Sequence, residues 1–155
     1  MAYETIIDRI ADFVRSLYPE KPGPEVPYPF QLDSFRNTIE HHLPPLIMIA
    51  RADRAFLKDE RNAIVDHCRA LLRHQDKLMS ASEITALQDY IARFAPNHAQ
   101  LDAALRKFRT GAPEDFGSLL AGAEHVMTAD DVVTDEEKSE FAEIKTQFEG
   151  LRAKS

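Results

Sequence analysis

Hydrophobic residues recur at helical spacing along most of the chain. The first segment, residues 3 to 18, carries apolar side chains three or four positions apart, at Ile6, Ile10, Phe13 and Leu17. This spacing places them on one face of a helix, whereas a half-buried strand needs strict alternation, and no convincing alternation occurs in the sequence. The pattern therefore predicts an amphipathic helix here and an all-α fold for the chain.

Prolines and capping residues divide the rest of the chain into further predicted elements. Five of the nine prolines fall in residues 19 to 29, where missing backbone donors predict an extended strap. Helices are predicted over residues 33–42, 44–52, 58–73, 80–94, 98–110, 113–127 and from 134 onward, with capping-box spacing at Ser80/Glu83 and Thr134/Glu137. We expect residues 1–155 to form one domain, a compact bundle of seven or eight short helices.

Two stretches of the chain resemble each other at a constant offset of 77 residues. Residues 47–61 read IMIARADRAFLKDER and residues 124–138 read EHVMTADDVVTDEEK, which aligns Asp53 with Asp130 and Glu60 with Glu137. Each copy is an apolar helix, an aspartate at its end, a short loop and a helix with glutamate in its first turn. The repeat predicts two helix–acidic loop–helix units, over about residues 34–75 and 111–153.

The charge is concentrated in the second of these units. Residues 124–143 hold eight acidic residues and one lysine, which accounts for the whole net charge of −7. Such a chain does not suit nucleic-acid backbones, which need a basic surface. An acidic patch suits cations or a basic protein partner.

The second acidic loop is the stronger candidate for a cation site. Asp130 and Asp131 follow a predicted helix C-terminus, where anions are disfavoured by about 0.3–1 kcal/mol each. A divalent cation such as Ca²⁺ could offset this cost through Asp130, Asp131 and Glu137, although the loop lacks the ligand spacing of an EF-hand. A solvated acidic turn that caps the next helix is the alternative. The first loop, with Asp53 and Glu60, is surrounded by basic residues and is expected to be a structural copy.

The segment Ala129 to Glu137, Ala-Asp-Asp-Val-Val-Thr-Asp-Glu-Glu, resembles the tellurite resistance protein B-like (TerB-like) domains, whose pattern is an apolar helix, Ala-Asp-Gly, a short loop and Asp-Glu-Glu. The resemblance implies a compact helical fold and divalent-metal association at Asp130 and Glu137, and at Asp53 and Glu60. It further implies a non-enzymatic role in bacterial metal or chemical stress response, beside other stress-response or membrane-associated proteins. The family's glycine is replaced by Asp131 in the second acidic loop and by Arg54 in the first.

Histidine and cysteine add little to the site prediction from sequence. His41 and His42 are adjacent, so on a helix they are expected to point to different faces, as surface or helix-end residues. His67 and His74 are seven positions apart and could share a face. Cys68 is the only cysteine, so an internal disulfide is excluded. It lies on the apolar face of its predicted helix and is expected to be an inert core residue.

The sequence indicates no enzyme class. It contains no serine elbow, phosphate loop or dinucleotide glycine pattern, so we expect no catalysis and no organic cofactor. It contains neither a spanning apolar run nor a signal peptide, and a cytoplasmic location is expected. The expected function is a non-enzymatic, cation-binding stress-response protein. The alternative is a metal-independent module that docks a basic partner through its acidic face.

Overall fold

A computed structural model of the chain describes residues 2–17, 33–51, 58–128 and 134–154. These ranges contain no strand, and the predicted all-α fold is confirmed. The α-helices are α1 (Ala2–Leu17), α2 (Asp33–Ile39), α3 (Leu43–Ala50), α4 (Lys58–Arg73), α5 (Ala81–Arg93), α6 (His98–Thr110), α7 (Pro113–Thr128) and α8 (Asp135–Lys154). A 3-10 turn, Glu40–His42, joins α2 to α3. The proline strap and the two acidic loops lie outside the described residues.

Helix starts follow the capping signals of the sequence. The Ser80 side chain accepts a hydrogen bond from the backbone of Glu83, whose carboxylate accepts one from the backbone N–H of Ser80 at 3.0 Å. Asn97 caps α6 in the same reciprocal way. These local bonds satisfy backbone donors that a helix cannot pair internally, which explains why the predicted starts were accurate.

Helix α3 lies at the centre of the bundle. All eight of its residues are buried, and it packs against α1, α4, α6 and α7. The N-terminal helix α1 packs against α6 and α8, and its Phe13 ring lies 5.8 Å from that of Phe141. Helices α1 to α8 all contribute to one hydrophobic core, so α3 and its neighbours are held firmly in place.

The internal repeat extends to the helix boundaries. Helix α4 begins at Lys58 and α8 at Asp135, a separation of 77 residues that equals the offset in the sequence. Glu60 and Glu137 are each the third residue of their helix. Their surroundings differ, because Glu60 is 1% exposed whereas Glu137 is partly exposed.

None of the helices in the described ranges is both long enough and apolar enough to cross a membrane.

Candidate metal centre

The acidic residues predicted to bind a cation are only partly described. Asp53, Asp130 and Asp131 lie outside the described residues. The Glu137 carboxylate accepts hydrogen bonds from the Thr134 backbone N–H at 3.2 Å and the Thr134 hydroxyl at 2.9 Å, so it helps to cap α8. The second predicted capping box is therefore confirmed, and one carboxylate oxygen of Glu137, Oε1, accepts both of these hydrogen bonds. The role of these residues as cation ligands stays a prediction.

A different group of potential metal ligands is assembled where the 3-10 turn meets the start of α7. His41 Nε2 lies 2.6 Å from Asp115 Oδ2, and His42 Nε2 lies 2.8 Å from Asp115 Oδ1. The ligand atoms of the three residues all lie within 4.8 Å of one another. Two imidazoles thus face the two oxygens of a single carboxylate.

Local sequence explains how each partner reaches this point. The 3-10 turn runs directly into α3, whose first turn tolerates Pro44 and Pro45 because those positions need no backbone donor. Pro113 opens α7 in the same manner and places Asp115 in the first turn. The positive end of a helix favours a carboxylate there. The packing of α3 against α7 then brings the two helix starts together.

The two histidines form the inner wall of the site. His41 is 7% exposed and His42 is fully buried. Their rings lie 4.7 Å and 5.0 Å from the ring of Phe108 on α6, measured between centroids. The expectation that adjacent histidines point to different faces as surface residues is wrong here. The turn they occupy is a 3-10 turn packed against α6, and both rings reach the same carboxylate.

A third imidazole extends the group into the core. His67 on α4 places its Nε2 atom 3.2 Å from His42 Nδ1. Gly122 on α7 makes room for this ring, because a Cβ atom at that position would lie 2.7 Å from His67 Cε1. A larger residue at 122 would therefore collide with the imidazole that holds His42.

Burial and hydrogen bonding fix the charges of the cluster. Burial lowers the pKa of His42, and it lowers the pKa of His67 to about 3. Burial alone raises the pKa of Asp115, but the hydrogen bonds from His41 and His42 outweigh it and hold that pKa below its ordinary value. At neutral pH a carboxylate anion therefore accepts hydrogen bonds from neighbouring imidazoles, of which His42 is neutral.

One proton arrangement satisfies these contacts. His41 and His42 each donate from Nε2 to Asp115, and His42 Nδ1 accepts from the Nε2–H of the neutral His67. The other ring nitrogen of His41, Nδ1, is buried and has no hydrogen-bond partner among the described residues. The cluster is thus ordered, with one buried imidazole nitrogen unused.

The donor set fits a divalent transition metal. Two imidazole nitrogens and one carboxylate oxygen match the ligands that zinc takes in proteins, usually in a four-coordinate arrangement. Calcium prefers six to eight oxygens, which this set lacks. If the Nε2 atoms bound a metal, His42 would carry its proton on Nδ1, and His67 would take the Nδ1–H tautomer so that its Nε2 accepts the hydrogen bond from His42. Metal-bound histidines commonly have such outer support.

A cleft adjoins the cluster at His41 and Asp115. It has a volume of about 500 Å³, and its polar lining includes Asn37, Thr38, His74, Gln75, Glu114 and Ser118 together with His41 and Asp115. The Asp115 side chain is 31% exposed, whereas that of His42 is 0% exposed. The carboxylate therefore lies at the boundary between the buried histidines and the cleft.

Sequence reasoning missed this cluster. It brings together residues 73 and 74 positions apart, and no spacing rule links them. Asp115 also has the ordinary appearance of an acid in a helix's first turn.

Comparison with known proteins finds no matching family model, no matching curated protein and no matching solved structure. The likeness of residues 129–137 to TerB-like domains stays a prediction from sequence.

Proposed function

We propose that this protein is a metal-binding module that holds one divalent transition-metal ion, such as zinc, at His41, His42 and Asp115. The observation that carries the proposal is the placement of two buried imidazole nitrogens on the two oxygens of one carboxylate, at 2.6 Å and 2.8 Å. Small movements would open these contacts to the spacing of ligands around one ion, since zinc–nitrogen and zinc–oxygen bonds are about 2.0–2.2 Å long.

The histidine ligands of the proposed site are buried. Removing polar groups from water is unfavourable unless each finds a partner, and His41 Nδ1 finds none in the part of the chain that the structure describes. A metal at Nε2 would leave the ring proton of His41 on this nitrogen, so the stabilisation has to come from coordination itself. The gain from metal coordination at Nε2 can then offset the loss of two hydrogen bonds to Asp115.

The surrounding structure supports a defined site rather than a loose surface cluster. Phe108 packs against both histidine rings, and His67 supports His42 from behind. Ligand side chains that are fixed by packing lose little conformational freedom when a metal binds.

A binding role is favoured over a catalytic one. Burial raises the pKa of the Cys68 thiol to about 12, so this cysteine stays protonated at neutral pH and is a poor nucleophile. Tyr90 is also held protonated, because burial raises its pKa to about 12. The residues of the cluster itself serve best as ligands.

The proposal is tested by calorimetric titration of the metal-stripped protein with Zn²⁺. We expect one site per chain, and we expect Asp115→Asn to weaken binding by at least about tenfold, because it removes a charged ligand. The matched control is Glu114→Gln, which removes the neighbouring exposed carboxylate and should leave zinc binding almost unchanged. Equal affinities for both variants would show that zinc binds elsewhere.

A second cation site, in the acidic loops, is a separate proposal that rests on the TerB-like resemblance. It is favoured by the helix starts of α4 and α8, which keep the 77-residue offset of the repeat. In this proposal Asp130, Asp131 and Glu137 hold Ca²⁺ or a similar ion in a cytoplasmic stress-response protein. Ca²⁺ should then raise the melting temperature of the wild type but not of Asp130→Ala. If Ca²⁺ has no effect on either, the acidic face is better explained as a docking surface for a basic partner.

A further inference from the structure

The proposed metal site is closed on one side and open on the other. His42 is fully buried, and Phe108 packs against both histidine rings. Asp115 and His41, in contrast, also line the cleft of about 500 Å³. Three protein ligands leave at least one position of a four-coordinate zinc ion for another ligand. Because the inner side is filled by side chains, this position faces the cleft.

We infer that a small monoanionic oxyanion, such as a carboxylate or a hydroxamate, enters this cleft and completes the coordination of the metal. The inference rests on the proposed metal site. A divalent ion with the single carboxylate of Asp115 carries one net positive charge beside neutral imidazoles, and a monoanion neutralises it. A cleft of this volume is within the range of about 300–1,000 Å³ that is typical of small-molecule sites.

The lining of the cleft offers hydrogen-bond donors to such a ligand. The Gln75 carbonyl oxygen accepts bonds from the Thr38 hydroxyl at 2.8 Å and from Lys77 Nζ at 2.9 Å. No acceptor for the Gln75 amide nitrogen is found among the described residues, so this nitrogen can donate to a ligand. Ser118 lies one helical turn after Asp115, on the same face of α7, and its hydroxyl has no hydrogen-bond partner among the described side chains and backbone.

The charge of the cleft also selects against anions with more than one negative charge. Glu114 is exposed and lines the same cleft, so a ligand with two or more negative charges would meet a repulsive carboxylate. His74 also lines the cleft and is exposed to solvent. The lining of the cleft therefore suits a ligand with one negative charge. That charge would lie at the metal, and the neutral donors of Gln75 and Ser118 would surround it.

The test uses the cobalt-substituted protein and acetohydroxamate as the probe. Addition of Co²⁺ to the metal-free protein should produce visible absorption bands of a nitrogen- and oxygen-ligated ion, and acetohydroxamate should then shift these bands in a saturable way. If Co²⁺ produces no bands with the wild type, the proposed metal site itself is wrong. If the bands appear but acetohydroxamate leaves them unchanged, the metal site stands and the inference about the cleft is refuted.

A pair of serine variants tests whether the cleft recognises the ligand. Ser118→Ala should weaken acetohydroxamate binding by roughly tenfold, because a hydrogen bond to a charged group is lost. Ser139→Ala, an exposed serine on α8, is the matched control and should leave the affinity unchanged. Both variants should bind Co²⁺ as the wild type does. Equal acetohydroxamate affinities in the two variants would contradict a role for Ser118.

Discussion

Replacement of Gly122 by alanine tests the support behind the metal centre. The added Cβ would lie 2.7 Å from one atom of the His67 ring and 2.8 Å from two others. Ordinary van der Waals contact begins near 3.4 Å, so the ring must retreat by about 0.7 Å. The hydrogen bond from His67 Nε2 to His42 Nδ1 is already 3.2 Å long, and we expect a ring movement of this size to break it.

Two opposing effects set the expected change in stability. Alanine is favoured over glycine inside a helix by about 0.8–1.0 kcal/mol. Loss of the hydrogen bond between His67 and His42 removes about 0.5–1.5 kcal/mol. The free energy of unfolding of Gly122→Ala should therefore stay near that of the wild type or fall slightly below it.

Gly150 on α8 provides the matched control. A Cβ atom at this position would meet nothing within 4 Å, so Gly150→Ala should show the full helix preference and stabilise the protein by up to about 1 kcal/mol. Urea unfolding of the two metal-free variants should give free energies of unfolding that differ by about 1 kcal/mol.

In addition, Gly122→Ala should weaken Zn²⁺ binding by about 10- to 100-fold, as the loss of outer support for a metal ligand commonly does. If both variants are equally stabilised and bind zinc like the wild type, the reasoning about His67 is refuted.

Three further predictions concern the core, the cap of α8 and acid stability. Phe13→Ala should lower the free energy of unfolding by about 3–5 kcal/mol in urea titrations, because the ring is 1% exposed and contacts Phe141; a loss below 1 kcal/mol would contradict this packing. Thr134→Ala should cost about 1 kcal/mol through loss of the α8 cap and leave Zn²⁺ affinity unchanged by calorimetry. The pKa of His67 is about 3 in the folded protein against 6.5 as its ordinary value, so the unfolded chain binds the extra proton and stability falls as the pH falls below 6.5. Between pH 7 and pH 5 the metal-free wild type should lose about 2 kcal/mol more than His67→Gln in urea titrations, and an equal loss in both proteins would refute the assignment.

The fold was largely predictable because its main determinants are local. Helix α6 begins after Asn97 and α7 begins at Pro113, as the capping and proline signals predict. Apolar spacing likewise placed Ile6, Ile10 and Phe13 on the buried face of α1, and all three are buried. Such signals depend on neighbouring residues, which a sequence displays directly.

The candidate metal centre was not predictable because it depends on contacts between distant parts of the chain. The α-helical geometry assumed for His41 and His42 would direct adjacent side chains to different faces. The 3-10 turn and its packing against α6 direct both rings to Asp115 instead. The supporting role of Gly122 is equally hidden, since glycine in a helix gives no sign of which ring approaches it.

X-ray diffraction from crystals of the protein grown with Zn²⁺, recorded at the zinc absorption edge, tests the proposed metal centre most directly. We expect an anomalous peak about 2.0–2.2 Å from the Nε2 atoms of His41 and His42 and from a carboxylate oxygen of Asp115. An absence of any peak at these three residues, with their hydrogen bonds intact under saturating zinc, would contradict it.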